Sequence, residues 1–396
     1  MRFATRSARR VEYARYSRLL TPVCGLVLAA AASPGGSPKP VAQTSATTRT
    51  LREVAQKHQL LMGTAVDSIY LHDASYMATL AREYSALEPA NEMKWDMIHP
   101  TPEAYDYSGP DTLVAFAQTH SMKLRGHTLV WQESLPPWVV VRDWMHAQYG
   151  PSVPWTPTAL NKVLADHIAN VVGHYKGKVY AWDVVNEPFN DDGSMRSTIW
   201  YDKPGIGFAG QGTKFIEQAL IWAHAADPDA KLFVNEYGAE TLGQKSDAVY
   251  AMAKDFVKRG VPLTGIGLQL HIETDFNSLD ALSRNLRRLA ALGLEVQFTE
   301  VDVRLRNDGS FSLRGQAEAY KNLLDECLKE PACTLFQTWG FTDKYSWIPF
   351  AFHGYGWALP FDESYGKKPA YSAMLKELQW EDSVGPRPPV SRGVSQ

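Results

Sequence analysis

The sequence predicts an α/β fold, a single (β/α)8 barrel of the TIM type, and three observations carry that expectation. Apolar runs of strand length recur eight times along the chain. Amphipathic stretches of helix length lie between them, which argues for a parallel sheet. Acids, amides and histidines gather at the C-terminal ends of the runs, the face on which such barrels carry function.

The strands are expected at 61–66, 86–91, 124–131, 179–187, 231–236, 266–272, 296–303 and 335–341. The fourth holds Val179, Ala181, Val184 and Val185, residues suited to a strand buried on both faces, and Pro188 stops it. Helices are expected at 160–175, 213–226, 245–259 and 279–292. Asp227-Pro228 closes the second of these and Gly260 the third, both helix stop signals. Eight such units over about 320 residues match one barrel. No repeat of solenoid period is visible.

The chain ends read differently. Six arginines, Arg2 to Arg18, precede an apolar run over 19–32, a leader of the signal-peptide kind over residues 1–32. Residues 33–50 read as a Pro/Ser/Thr-rich linker, residues 51–380 as the catalytic domain, and residues 381–396 as a disordered tail. A leader implies a secreted or periplasmic protein with no stable membrane insertion. Cys327 and Cys333, which flank Leu-Lys-Glu-Pro-Ala, are then expected to form a disulfide.

The formal net charge of −3, without a basic block in the body of the chain, gives no reason to expect a nucleic-acid partner. Apolar residues at 45% are enough for a sizeable core, so most of the 12 Trp and 18 Tyr are expected to fill it. Some can serve as platforms for sugar rings. His271-Ile-Glu273 lacks the second histidine of a zinc helix motif, and the other histidines are scattered. No metal or cofactor is expected.

Two strands end in a glutamate, Glu187 and Glu300. Two such acids facing one cleft are what glycosidic bond hydrolysis requires. Around them, at the other strand ends, stand Asn91, Lys94, His127, Trp131, Asn186, Asn235, Glu236, Gln269, His271, Asp302 and Trp339. Convergence of polar groups at the strand tips is stronger evidence for a site than any one of them.

Seven stretches in order carry a resemblance: Asn91-Glu-Met-Lys-Trp95, Arg125-Gly-His-Thr-Leu-Val-Trp131, Trp182-Asp-Val-Val-Asn-Glu187, Ala226-Asp-Pro-Asp-Ala-Lys231, Gly265-Ile-Gly-Leu-Gln-Leu-His271, Thr299-Glu-Val-Asp302 and Trp339-Gly-Phe-Thr-Asp-Lys-Tyr-Ser-Trp347. Residues 51 to 380 resemble glycoside hydrolase family 10, the retaining endo-β-1,4-xylanases. The resemblance implies that Glu187 is the acid/base and Glu300 the nucleophile, about 5–5.5 Å apart. It implies that His271 hydrogen-bonds Glu300 while Asp302 fixes the histidine tautomer. Asn186 would meet the sugar 2-hydroxyl. Asn91, Lys94, His127 and Gln269 would hold the glycone sugars, with Trp131, Trp339 and Trp347 also lining the substrate cleft. The implied substrate is xylan or a xylo-oligosaccharide, bound by a monomer.

Four positions depart from the family pattern: Ala90 for Glu, Gln132 for His, Ser134 for Gln and Phe215 for Tyr. Ala90 and Ser134 fall at the glycone side, so the second glycone sugar is expected to be held less tightly. The hydrolytic machinery is expected to be untouched. An insertion over 142–156, with Trp144, Tyr149 and Trp155, is expected to rim the cleft and compensate for lost contacts or reshape it. Two alternatives stay open: a related β-glycosidase acting on short xylo-oligosaccharides or another β-linked glycan, and a non-catalytic carbohydrate-binding barrel.

Overall fold

The structure, a computed structural model, describes residues 49–143, 148–151, 154–310 and 312–384. The leader, the linker up to residue 48, Trp144 and the tail beyond Val384 lie outside the described residues. The body of the fold starts at Thr50. Its hydroxyl accepts from the Glu53 N–H, and the Glu53 carboxylate accepts from the Thr50 N–H. This capping box opens the helix Leu51–Lys57, so Thr50 belongs to the domain and not to the linker.

Eight parallel strands close into a barrel. They are β1 (Leu61–Val66), β2 (Ala86–Pro89), β3 (Lys123–Val130), β4 (Ala181–Asn186), β5 (Lys231–Glu236), β6 (Gly265–Leu268), β7 (Glu295–Arg306) and β8 (Cys333–Thr338). Each pairs with its sequence neighbours, and β8 returns to β1 with Leu61 opposite Leu335. A helix follows each strand before the next, and Pro369–Val384 packs against the helices Leu313–Lys329 and Leu51–Lys57. That last helix runs to Val384, into the segment from 381 that was expected as a tail.

Several strands end earlier than their apolar runs suggest. β2 stops at Pro89, because the chain turns there toward Asn91 and Lys94. β8 stops at Thr338, and Gly340 then adopts φ +90°. The run over 266–272 is broken: β6 ends at Leu268, Leu270 takes φ +63°, and a separate strand His271–Glu273 pairs with the end of β7. The Leu270 N–H, freed from the ladder, donates to Glu240 Oε1 at 3.1 Å. This break swings His271 beside Asp302.

The strands bury apolar side chains outward against the helices, while the barrel axis is polar. Arg125, fully buried, donates to Glu88 at 2.8 Å, to both oxygens of Asp183, and to Gln297 at 3.1 Å. Buried charges persist only when paired and hydrogen-bonded. Gly267 is required by a close approach, since a Cβ there would lie 2.3 Å from Asn235 Oδ1.

The insertion forms an antiparallel hairpin, Val140–Asp143 with Gln148–Pro151. Trp155 does not reach toward the sugar-binding residues expected to need help. Its indole donates to Val139 O at 3.0 Å and its ring meets Trp138 edge-on at 6.5 Å. Trp138 packs on Trp95, and Trp95 on Trp200, whose indole donates to Trp131 O at 2.7 Å. The described part of the insertion anchors the end of β3 from behind. No helix among the described residues is long and apolar enough to cross a membrane.

Cys327 and Cys333 are bonded across the turn before β8, with Cα atoms 5.3 Å apart. Replacing both by Ser is expected to cost about 2 kcal/mol by loss of the loop constraint in the unfolded chain. Equilibrium urea unfolding of the double variant under non-reducing conditions measures this. An unchanged midpoint would mean that the link adds nothing.

Candidate active site

The site sits where the strands end. Glu300 lies within β7 and is buried. Its Oε1 accepts from Asn235 Nδ2 at 2.7 Å, and its Oε2 lies 3.0 Å from His271 Nε2. The other ring nitrogen, His271 Nδ1, lies 2.8 Å from Asp302 Oδ2. The same Asp302 oxygen accepts from Trp347 Nε1 at 2.9 Å. Burial opposes charge on His271, but Asp302 and Glu300 prevail and push its pKa up to about 10. The ring is therefore an imidazolium with both N–H groups donating. Asp302 lies where it was expected, on the far side of the ring from Glu300, and its charge favours the cation.

Burial alone would raise the pKa of Glu300. The hydrogen bond and charge of His271, the charge of His127 and the Asn235 amide reverse this and lower it. Glu300 is thus an ionised carboxylate in a dry place. His127 is itself raised, against burial, by Asp183, Glu88 and Glu300. Its Nδ1 lies 3.0 Å from Asp183 Oδ2. Glu88, His127 and Asp183 lie close enough together to hold a cation. The Arg125 guanidinium already bonds both acids and supplies that charge, so these residues do not fit an added metal.

Glu187 follows β4 directly and has φ +54°, a left-handed conformation uncommon for a residue with a Cβ. Side chains brace the backbone around it. Arg196 Nε donates to Glu187 O at 3.0 Å, and its Nη2 donates to Phe189 O and to the Tyr237 hydroxyl, each at 3.0 Å. Glu236 Oε2 accepts from the Phe189 N–H at 3.1 Å, while its Oε1 meets Lys245 Nζ at 2.9 Å. Burial pushes the Glu236 pKa up to about 8 despite that lysine.

The Glu187 carboxylate accepts on Oε1 from Asn186 Nδ2 and Gln269 Nε2, both at 3.2 Å, and on Oε2 from Gln132 Nε2 at 3.5 Å. Asn186 Oδ1 in turn accepts from Asn235 Nδ2 at 2.9 Å. A relay of amides thus ties Glu187 to Glu300. Gln132, which stands where the family has His, contacts this acid. That departure from the family pattern reaches the reacting groups.

Aromatic and cationic groups complete the wall. Trp339 lies edge-on to His127 at 5.4 Å and to His271 at 6.3 Å, and Trp347 lies 4.9 Å from His271. Lys94 Nζ sits 5.4 Å from the Trp131 ring and 5.8 Å from that of Trp339, and donates to Asn91 Oδ1 at 3.0 Å. The twelve residues expected at the site are therefore brought into one connected set. Phe215 is not part of it; it packs in the core against Tyr201 at 5.8 Å.

Asn235 was legible as a polar strand tip, but its bond to Glu300 was not. Arg196 and Lys245 were missed, because each reaches in from a segment outside the strands.

The model of glycosyl hydrolase family 10 matches residues 50–377. The chain belongs to that family. Endo-1,4-beta-xylanase B of Thermotoga neapolitana is 42% identical over 336 residues, covering 84% of this chain and 92% of that protein. Endo-1,4-beta-xylanase C of Phanerodontia chrysosporium is 38% identical, covering 84% and 79%. The crystal structure of xylanase 10B from Thermotoga petrophila RKU-1 in complex with xylobiose is 42% identical. It superposes with a TM-score of 0.77 over 84% of this chain and 98% of that one.

The His271 cation has a measurable signature. Its pKa is raised from 6.5 to about 10 on folding, so its contribution to stability is full below about pH 6.5 and is lost as pH rises through 10. The wild-type melting temperature is expected to fall between pH 7 and pH 10, and His271→Asn to flatten that fall. Thermal melts at constant ionic strength check this. Equal slopes in the two proteins would remove the cation.

Proposed function

We propose that the chain is a retaining endo-β-1,4-xylanase, with Glu300 as nucleophile and Glu187 as acid/base. One observation carries the assignment: a buried carboxylate kept ionised by an imidazolium, joined through amides to a second carboxylate at the end of another barrel strand. Membership of family 10 and the xylanase names of the relatives support the choice of xylan or xylo-oligosaccharides.

In the first step Glu300 attacks the anomeric carbon while Glu187 gives its proton to the departing glycosidic oxygen. The C–O bond to the leaving sugar breaks and an ester to Glu300 forms. In the second step Glu187, now ionised, takes a proton from water. The hydroxide so generated attacks the anomeric carbon and releases Glu300. Each inversion cancels the other, so configuration is retained. His271 stabilises Glu300 as a leaving group in the second step, since its charge favours the free carboxylate. Asn186 donates toward the sugar 2-hydroxyl, and Trp339, Trp347 and Lys94 hold the adjoining sugars.

The chain works as a monomer, and the two-carboxylate mechanism uses no cofactor. The Arg-rich, then apolar leader and the linked cysteines support a secreted or periplasmic location.

Glu300→Ala is expected to lose turnover on xylan by several orders of magnitude, because no ester can form. Glu187→Ala is expected to lose far more on xylan than on an aryl β-xylobioside with a good leaving group, whose departure needs little protonation. Product analysis on xylohexaose runs beside these assays. A mixed ladder of xylo-oligosaccharides means internal cleavage, whereas stepwise release of one sugar favours the related β-glycosidase. Near-normal rates for Glu300→Ala would reassign the nucleophile.

Arg196 serves the same step at one remove, by fixing the backbone of Glu187. A misplacement of about 1 Å can cost about a hundredfold in rate. Arg196→Met is therefore expected to lower kcat on xylan by up to about a hundredfold, and kcat on the activated xylobioside much less. Parallel losses on both substrates would make Arg196 a support of the fold only.

A further inference from the structure

The cleft does not end at the residues placed so far. Beyond Lys94 and Trp339 a cavity of about 160 Å3 opens between the ends of β1, β2 and β8. One wall is Ala90, whose methyl group leaves the space open, and on another side lies Asp67, the residue after β1. Asp67 is the one acid lining this cavity.

The hydrogen bonds here leave an imbalance. Asn91 Oδ1 accepts from Lys94 Nζ at 3.0 Å, and Asn91 Nδ2 donates to Asp67 Oδ1 at 2.8 Å. The Asn91 oxygen is thus engaged, and the amide presents Asp67 rather than itself. Asp67 heads a short 3-10 helix, Ser68–His72, without capping it through its side chain. Among the described residues, Asp67 Oδ2 has no hydrogen-bond partner. Lys94 has ammonium protons beyond the one given to Asn91. One open acceptor and one open donor therefore share a half-enclosed space that continues the cleft, a match for neighbouring hydroxyls of a sugar ring.

We propose that Asp67 is a specificity-determining residue that accepts a hydrogen bond from a hydroxyl of the second glycone sugar of a β-1,4-xylo-oligosaccharide. The sugar takes the space left by Ala90, with Lys94 contacting it from the other side. This rests on the xylanase reading above. The state of Asp67 in the free protein agrees with it. Burial, then the neighbouring Glu92 carboxylate, push its pKa up to about 6, and the Asn91 and Lys94 interactions only partly offset this. A carboxylate short of donors gains from one brought in by a ligand.

The test compares two chromogenic substrates: an aryl β-xyloside, which fills only the sugar next to the cut, and an aryl β-xylobioside, which adds the second. The readout is the ratio of their kcat/KM values. Asp67→Ala is expected to lower the ratio of xylobioside to xyloside about tenfold, the scale of one hydrogen bond to a charged acceptor. Asp67→Asn, which keeps the shape and loses the charge, is expected to lower it about threefold, and supplies the answer if the Ala variant does not fold. A ratio within twofold of wild type in both variants overturns the proposal, even if both rates fall, because a merely structural role moves them together. Wild-type protein with no turnover of either substrate would instead sink the xylanase reading, and this assignment with it.

Discussion

The contact between His271 and Glu300 is the constraint on which the rest of the site depends. A buried carboxylate left to itself takes up a proton, and a protonated carboxyl is no nucleophile. An imidazole with an ordinary pKa would be mostly neutral at pH 7 and would not prevent this. Asp302 changes the balance by holding the far side of the ring, at 2.8 Å, so that the ring stays charged. Two acids and one cation then stand in a row, and the outer acid is steadied by the Trp347 indole. The inner one is also held by the Asn235 amide.

The barrel delivers this row by breaking its own regularity at the right places. If β6 continued without interruption, strand alternation would fix where His271 points. The left-handed turn at Leu270 releases it, and the short strand that follows pairs His271 directly with Asp302. Glu187 stands in a similar turn of the backbone at the end of β4. Non-glycine residues in this region cost of order 1–3 kcal/mol and persist when their surroundings over-determine them. Arg196 and Glu236 are those surroundings for Glu187, and Glu240 is part of them for Leu270.

Much of this was legible in the sequence, for identifiable reasons. Eight apolar runs gave the barrel, because strands buried on both faces must be apolar over their length. Acids at the ends of two runs stood out against that background. What could not be read were contacts made between distant segments. Arg125 looked like one charged residue within a motif, yet it crosses the barrel interior to Glu88, Asp183 and Gln297. Arg196 lies in a polar stretch with no periodicity, so nothing marked it as a brace. The break in β6 was invisible because Gln269-Leu270 fits a strand pattern; only the geometry at Leu270 ends it. Trp155 was read as a cleft residue because insertions after β3 rim the mouth, but its indole is spent on Val139.

The departures at positions 90, 132 and 134 differ in consequence because they meet different degrees of cross-linking. Glu187 and Glu300 share amides, so a change in one acid's surroundings is felt by the other through Asn186 and Asn235. Gln132 falls inside that mesh, yet it keeps a hydrogen-bond donor turned toward Glu187 and so preserves the sign of the interaction. The glycone end has no comparable mesh. Its polar groups form a short open chain from Lys94 through Asn91 to Asp67, with slack at Asp67. A side chain such as that of Ala90 can shrink there without unbalancing a buried charge, and the space it vacates is open to the substrate. The chemistry is therefore held by a closed network that tolerates little, while sugar recognition is held by an open one that can be rebuilt.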